Sequence, residues 1–271
     1  MTTPCEVHLY CASQEKARKV ATSILDASKK LESKYNFFDK NSYLWALNRR
    51  EVSTVDYQTK EILKQAKYFY KQTKGIFDVT MGTLKESMNL QSVQEVEERK
   101  SVLSSYVGCE HFEVKKDKLH FSNPYTQIDL GGFIKEYAVD NAIKIVKKAK
   151  ITSALINFGG DIYALGSKPN GNPFKIGIKN PLNPKLYIYD VLLSNQALTT
   201  SASYERNKKI EDKSYSHIVH IEQLQTEIIS TSVISTSTLQ SGIYSTALMI
   251  DPTLEVPFQK ILIDNKLKIR D

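Results

Sequence analysis

The chain has 271 residues, of which 41% are hydrophobic and 25% charged; that is enough apolar material for a substantial core and excludes a disordered or peptide-sized protein. With a mean hydropathy of -0.35 it contains no apolar run long enough to cross a bilayer. Lys and Arg number 37 against 30 Asp and Glu, a net charge of +7, which favours anionic partners without naming one. The lysines are scattered rather than gathered in a stripe, so they read as a solvated basic face and give no support for nucleic-acid binding. Cys5, Cys11 and Cys109 lack the spacing of a zinc or redox motif and are expected to be reduced thiols. No charged segment followed by an apolar stretch and a cleavage site opens the chain, so the sequence as given reads as cytoplasmic, or periplasmic if it is a trimmed form.

Glu6 to Cys11 alternates polar and apolar residues like a half-buried strand. Ala17, Val20, Ala21, Ile24, Leu25 and Leu31 then recur at helical spacing. Asp56 is placed to cap a second helix through about residue 73, with Gly75 just beyond its end. Ser92-Val93-Gln94-Glu95 has the form of a capping box. Phe112 to Phe121 reads as a hairpin around Lys116-Asp117-Lys118, and Ile128-Asp129-Leu130 as a strand end before Gly131-Gly132. A long helix over 133–149 follows. Ser153 to Phe158, Asp161 to Gly166, Phe174 to Lys179 and Leu186 to Leu193 are then predicted strands of a meander. A last helix from Thr238 to Met249 precedes a strand near Lys260 to Ile263. The order predicts α+β, helices packed on largely antiparallel sheet, and with no linker or repeat residues 1–271 read as one domain.

Two glycine pairs follow strands. Gly131-Gly132, with Lys135 in the next turn, is either a plain tight turn or a phosphate-facing helix start. Gly159-Gly160 is either a hairpin turn or a ligand-facing one. His217 and His220 in a strand over Ser216 to Ile221 would face opposite sides, which argues against one shared metal.

In order, these clusters resemble the FAD:protein FMN transferases, the ApbE family, over nearly the whole chain. Asp129 through Asp140 resembles the family's DLGGIAKGYAVD, and Ser153 through Ile162 its SALVNLGGDI. Phe77 through Leu84 is similar to FDPTVGPL, Ser33-Lys34-Tyr35 through Leu47-Asn48 to SRF…SELSRLN, and Thr200 through Arg206 to TSGDYER. The resemblance implies a single α+β domain that binds FAD in an elongated cleft with Mg2+ at the pyrophosphate. It further implies transfer of FMN to a Thr or Ser hydroxyl of an acceptor flavoprotein, with release of AMP. It places Met1, Tyr35, Phe77, Asp78, Asp129, Lys135, Gly160, Asp161 and Ile218 along the cofactor. His217 and Thr246 fall at the reaction, and Gly132, Thr246 and Gly242 at the metal.

Two positions and one segment depart from that pattern. The family's ADALATAL segment carries Asp and Thr four residues apart; here the Thr is Thr246 but the Asp position is Gly242. Loss of a carboxylate should weaken a magnesium site unless another acid replaces it, with Asp161 and Asp251 the acids singled out. On this reading Gly242→Asp should raise activity. The HIIDPRTG segment has become His217-Ile218-Val219-His220-Ile221-Glu222-Gln223, and Glu136 stands where the family has Gly. A flavin-binding paralogue without transfer, and an FAD pyrophosphatase yielding FMN and AMP, are the alternatives.

Overall fold

A computed structural model describes residues 3–85, 87, 90–203, 208–211, 213–215 and 225–270. The chain divides into two compact units, one formed by Met1–Glu32, Gly132–Ala202 and Thr226–Asp271, the other by Ser33–Gly131 and Ser203–Gln225.

The first unit is built on a seven-stranded sheet in the order β1 (Cys5–Leu9), β4 (Ala154–Phe158), β5 (Asp161–Leu165), β8 (Gln196–Ala202), β11 (Ile228–Ser235), β12 (Gln259–Asp264), β13 (Ile269–Arg270). Every pairing in it is antiparallel. The expected α+β class with largely antiparallel sheet is therefore found. The predicted meander is not continuous: β6 (Phe174–Asn180) and β7 (Asn183–Leu193) pair with each other, and β5 pairs with β8 instead. The reason is two-sided burial. Ile162, Ala164 and Leu198 face one side with Phe174, Ile178, Val191 and Leu193 of the β6–β7 hairpin in a buried cluster. Helix α7 (Thr238–Ile250) packs against β5, β8 and β11, and since side chains alternate along a strand, Asp161, Thr199, Ser201 and Thr231 belong to the opposite set from that cluster. Helix α6 (Gly131–Lys148) buries Phe133, Ile134, Ala138, Val139, Ala142, Ile143 and Val146.

The second unit holds α2 (Tyr43–Asn48), α3 (Tyr57–Gln72), α4 (Gly82–Lys85), α5 (Val93–Ser104), the hairpin β2 (Phe112–Lys115) and β3 (Lys118–Phe121), and the short ribbon β9 (Lys208–Ile210) with β10 (Lys213–Tyr215). Helix α1 (Gln14–Tyr35) covers the amphipathic stretch read from the sequence. Asp56 caps α3 through the Thr59 amide, and Ser92 and Glu95 form the reciprocal capping box of α5. Lys116 and Asp117 both take positive φ, 48° and 59°, as a two-residue hairpin turn requires. Ile128–Leu130 is not a strand. Its partners are single bonds: the Asp129 amide to the Val79 carbonyl (2.7 Å), and the Ile128 amide and carbonyl to the Asn48 side chain (2.8 Å each). Among the described residues no helix is long and apolar enough to cross a membrane.

Candidate active site

In the first unit the site begins at the start of α6. Gly132 breaks the helical path (φ -88°, ψ 18°), and the regular helix runs on from Phe133. Lys135 reaches Asp161, with Nζ 2.7 Å from Oδ2, and the Asp161 side chain is 2% exposed against 28% for Lys135. Asp161 opens β5 directly after the Gly159-Gly160 turn, whose φ values of 62° and 98° suit glycine. The turn is a hairpin turn, and a Cβ built at Gly160 meets nothing within 4 Å, so a ligand has backbone access there. Burial pushes the Asp161 carboxyl up and the Lys135 ammonium opposes it. Glu136, next along the helix, is buried; burial first, then repulsion from Asp161, push its carboxyl to about 8.

Helix α7 is held at its start by two side chains. Ser237 accepts from the Gln240 amide (3.2 Å), while Asp140 of α6 accepts from the Thr238 (2.8 Å) and Leu239 (3.0 Å) amides. That fixes Gly242 and Thr246, four apart and so on one face. The Thr246 hydroxyl lies 3.2 Å from Ser201 Oγ of β8, Ser201 Oγ 2.9 Å from Ser245 Oγ, and Ser245 donates to the Gly242 carbonyl at 3.0 Å. The three heavy atoms nearest to a Cβ built at Gly242 all belong to Glu136, the first at 2.5 Å. The acid nearest to that Cβ is thus Glu136, and the Asp161 carboxyl meets Glu136 in turn; Asp251 instead accepts from the Thr253 amide and hydroxyl (2.9 and 2.6 Å).

In the second unit Asp78 is buried and Oδ1 accepts from the Thr80 amide and hydroxyl (2.7 Å each) and from Cys109 Sγ (3.4 Å). Burial raises its carboxyl despite those bonds. Phe77 beside it is buried. Tyr35 is also buried, its hydroxyl 2.8 Å from Thr59 Oγ1. Asp129 pairs with Lys85 of α4 and accepts from the Gly131 amide (2.9 Å). The Lys85 ammonium stands 5.7 Å from the ring centroids of both Phe37 and Phe38, and Phe38 is exposed.

The motifs thus place Lys135, Asp161 and Gly160 together in one unit, with Thr246 on α7, and Phe77, Asp78, Asp129 and Tyr35 in the other. Met1, His217 and Ile218 lie outside the described residues. Sequence reading did not assign roles to Lys85, Asn48, Asp140 and Ser201. Asp140 and Asn48 stood inside quoted motifs; Lys85 lies one residue beyond one. Among the described residues no three His, Cys, Asp or Glu side chains converge as a metal cluster. Magnesium does not need one, since one or two carboxylates complete its shell with waters and substrate phosphates. Glu136 fits that demand: its Oε2 is buried with no N–H or hydroxyl donor to meet it, and the buried Asp161 carboxyl stands beside it.

The model of the ApbE family matches residues 1–257. An FAD:protein FMN transferase of Chlamydia pneumoniae is 30% identical over 198 residues, covering 70% of this chain and 61% of its own length. One from Escherichia coli K12 is 23% identical over 254 residues, 88% of this chain and 71% of that protein. The crystal structure of an ApbE protein from Thermotoga maritima superposes with a TM-score of 0.86 at 24% identity, covering 97% of this chain and 92% of that one. With the motif segments folded in the order and positions described, and a family match that runs through nearly the whole sequence, the chain belongs to the ApbE family.

Proposed function

We propose that this protein is an FAD:protein FMN transferase, residues 1–271 acting as one functional domain. The observation that carries the reading is the joining of two separate motif segments: Lys135 of α6 bonded to Asp161 immediately after the Gly159-Gly160 turn. Lys135 is the partly exposed cation of that pair, suited to a pyrophosphate oxygen, and buried Asp161 holds it in place. Asp129, fixed by Lys85 and by the Asn48 clamp on Ile128, and the buried Asp78 belong to the flavin contacts that the resemblance implies.

The hydroxyl oxygen of an acceptor Thr or Ser forms a bond to the phosphorus of the FMN half. The bond to the AMP phosphate breaks, AMP departs with the electron pair, and the hydroxyl proton passes to a base, for which His217 is the choice. Mg2+, when bound, would supply charge neutralisation for the leaving phosphate. The Gly132 carbonyl and the Thr246 hydroxyl are the groups assigned to hold it, and Ser201 beside Thr246 orients that hydroxyl. The acceptor is a flavoprotein subunit rather than nucleic acid, and three free cysteines suit a reducing compartment such as the cytoplasm.

A second reading, flavin binding without transfer, is favoured by Gly242 at the family's Asp position. The experiment that separates them is AMP release from FAD and Mg2+ with and without a peptide carrying an acceptor Thr. Transfer requires AMP only with the peptide and a flavin-sized mass gain on it. AMP without peptide would mean hydrolysis, and FAD bound with no AMP would mean a silent binder.

A further inference from the structure

Two of the departures from the family motif, Glu for Gly at 136 and Gly for Asp at 242, meet each other in space. A Cβ at Gly242 would lie 2.5 Å from Glu136 Cγ, 3.1 Å from its Cδ and 3.2 Å from its Oε1. An Asp carboxylate begins one bond, about 1.5 Å, beyond its Cβ, so Asp at 242 and Glu at 136 would claim the same volume. The glycine now on α7 is what admits the longer acid from α6.

We propose that Glu136 supplies the metal-binding carboxylate that the family carries on the facing helix, so that the acid has changed helices while its position in space is kept. The inference rests on the flavin-transferase reading and deepens it. Three observations support it. Glu136 is 6% exposed, no N–H or hydroxyl donor meets its Oε2, and the carboxyl beside it is that of buried Asp161, so two acids face each other away from water, an arrangement that a cation between them would relieve. Gly132, whose carbonyl is assigned to the ion, stands four residues before Glu136 on α6, and the break in helical path at Gly132 takes it out of the regular ladder. Thr246 stands four residues after Gly242 on α7, so each helix brings a ligand group one turn from the point where Glu136 and Gly242 meet.

The same geometry corrects the expectation that Gly242→Asp alone would raise activity. With Glu136 in place the new side chain has no room, and a second acid would be forced against a carboxyl already deprived of water.

The test uses the full chain with FAD and no acceptor, and reads Mn2+ binding by the loss of its free-ion electron paramagnetic signal, beside melting temperature. Glu136→Gln keeps shape and removes charge; it should weaken Mn2+ by more than the roughly 10-fold that losing even an outer-shell partner costs. Gly242→Asp alone should lower the melting temperature without tightening Mn2+. The double variant Glu136→Gly with Gly242→Asp should recover both the melting temperature and Mn2+ affinity to within a few-fold of the starting protein. Unchanged Mn2+ affinity in Glu136→Gln, or no Mn2+ bound to the starting protein while it still transfers FMN, overturns the assignment and leaves the transferase reading standing. Glu136-dependent Mn2+ binding without any flavin transfer does the reverse.

Discussion

Asp56 shows how one exposed carboxylate is given several tasks in the second unit. Its Oδ1 accepts from the Thr59 amide (2.9 Å) and hydroxyl (2.7 Å), and its Oδ2 pairs with Lys34. Burial pushes the Asp56 carboxyl up, but the Lys34 ammonium and the Thr59 donors outweigh it and hold the carboxyl below its ordinary value. For an acid lowered in the folded state, the charged form stabilises above the unfolded pKa of about 3.9, and that contribution is lost as pH falls through the lower folded value. The side chain is 54% exposed, so the ion pair itself adds little and the cap dominates. Asp56→Ala should therefore cost about 1 kcal/mol at pH 7, read as a melting temperature lower by roughly 2–4 °C. At pH 3 the gap between the two proteins should narrow. An equal gap at both pH values, measured by circular dichroism, would show that the cap does not depend on charge.

At the scale of elements, α7 depends on Asp140 more than on its own cap. Asp140 spends both oxygens on the Thr238 and Leu239 amides, whereas Ser237 serves one amide further along. Asp140→Ala strands two largely enclosed donors, which cost about 1–3 kcal/mol each when left unsatisfied, and Asp140→Asn should fall between the variants because only one of its side-chain atoms accepts. Both should lower FMN transfer together with stability, since Gly242 and Thr246 ride on this helix; an Asp140→Ala protein that melts with the starting protein would refute the role. Local devices of this kind were legible where both partners are close in sequence, as at Asp56, Ser92 with Glu95, and Lys116 with Asp117. Gly75 likewise takes the left-handed φ of 84° expected just past α3. Ile128–Leu130 misled because its neighbour is the side chain of Asn48, far off in sequence, standing in for a strand. Strands β8 and β11 escaped notice for another reason: Thr199, Thr200, Ser201, Ser230, Thr231 and Ser232 give no apolar alternation, and the burial of Thr199 and Thr231 follows from α7, where Thr231 donates to the Ser245 carbonyl at 2.6 Å. Glu136 and Gly242 were each visible as a departure, yet that they answer one another is a fact of helix contact.

For the molecule as a whole, charge is arranged differently near and far. Lys135 in the first unit is locally balanced by Asp161, and Lys85 in the second by Asp129, so neither adds a net charge where it stands. The net +7 is spread over the rest of the chain. A dispersed surplus acts at long range, drawing a pyrophosphate-bearing ligand toward the protein, and salt screens it once separations exceed a Debye length of about 10 Å at 0.1 M. The Lys135–Asp161 pair proposed to hold the bound ligand, its carboxylate buried, is screened far less. Raising ionic strength from 0.01 to 0.5 M should accordingly slow FAD association by a factor on the order of 10, while dissociation changes much less. Stopped-flow flavin fluorescence resolves the two rates. If dissociation carried the salt dependence instead, the ligand would be held by exposed lysines, and the Lys135–Asp161 pair would lose its place as the anchor of the phosphate.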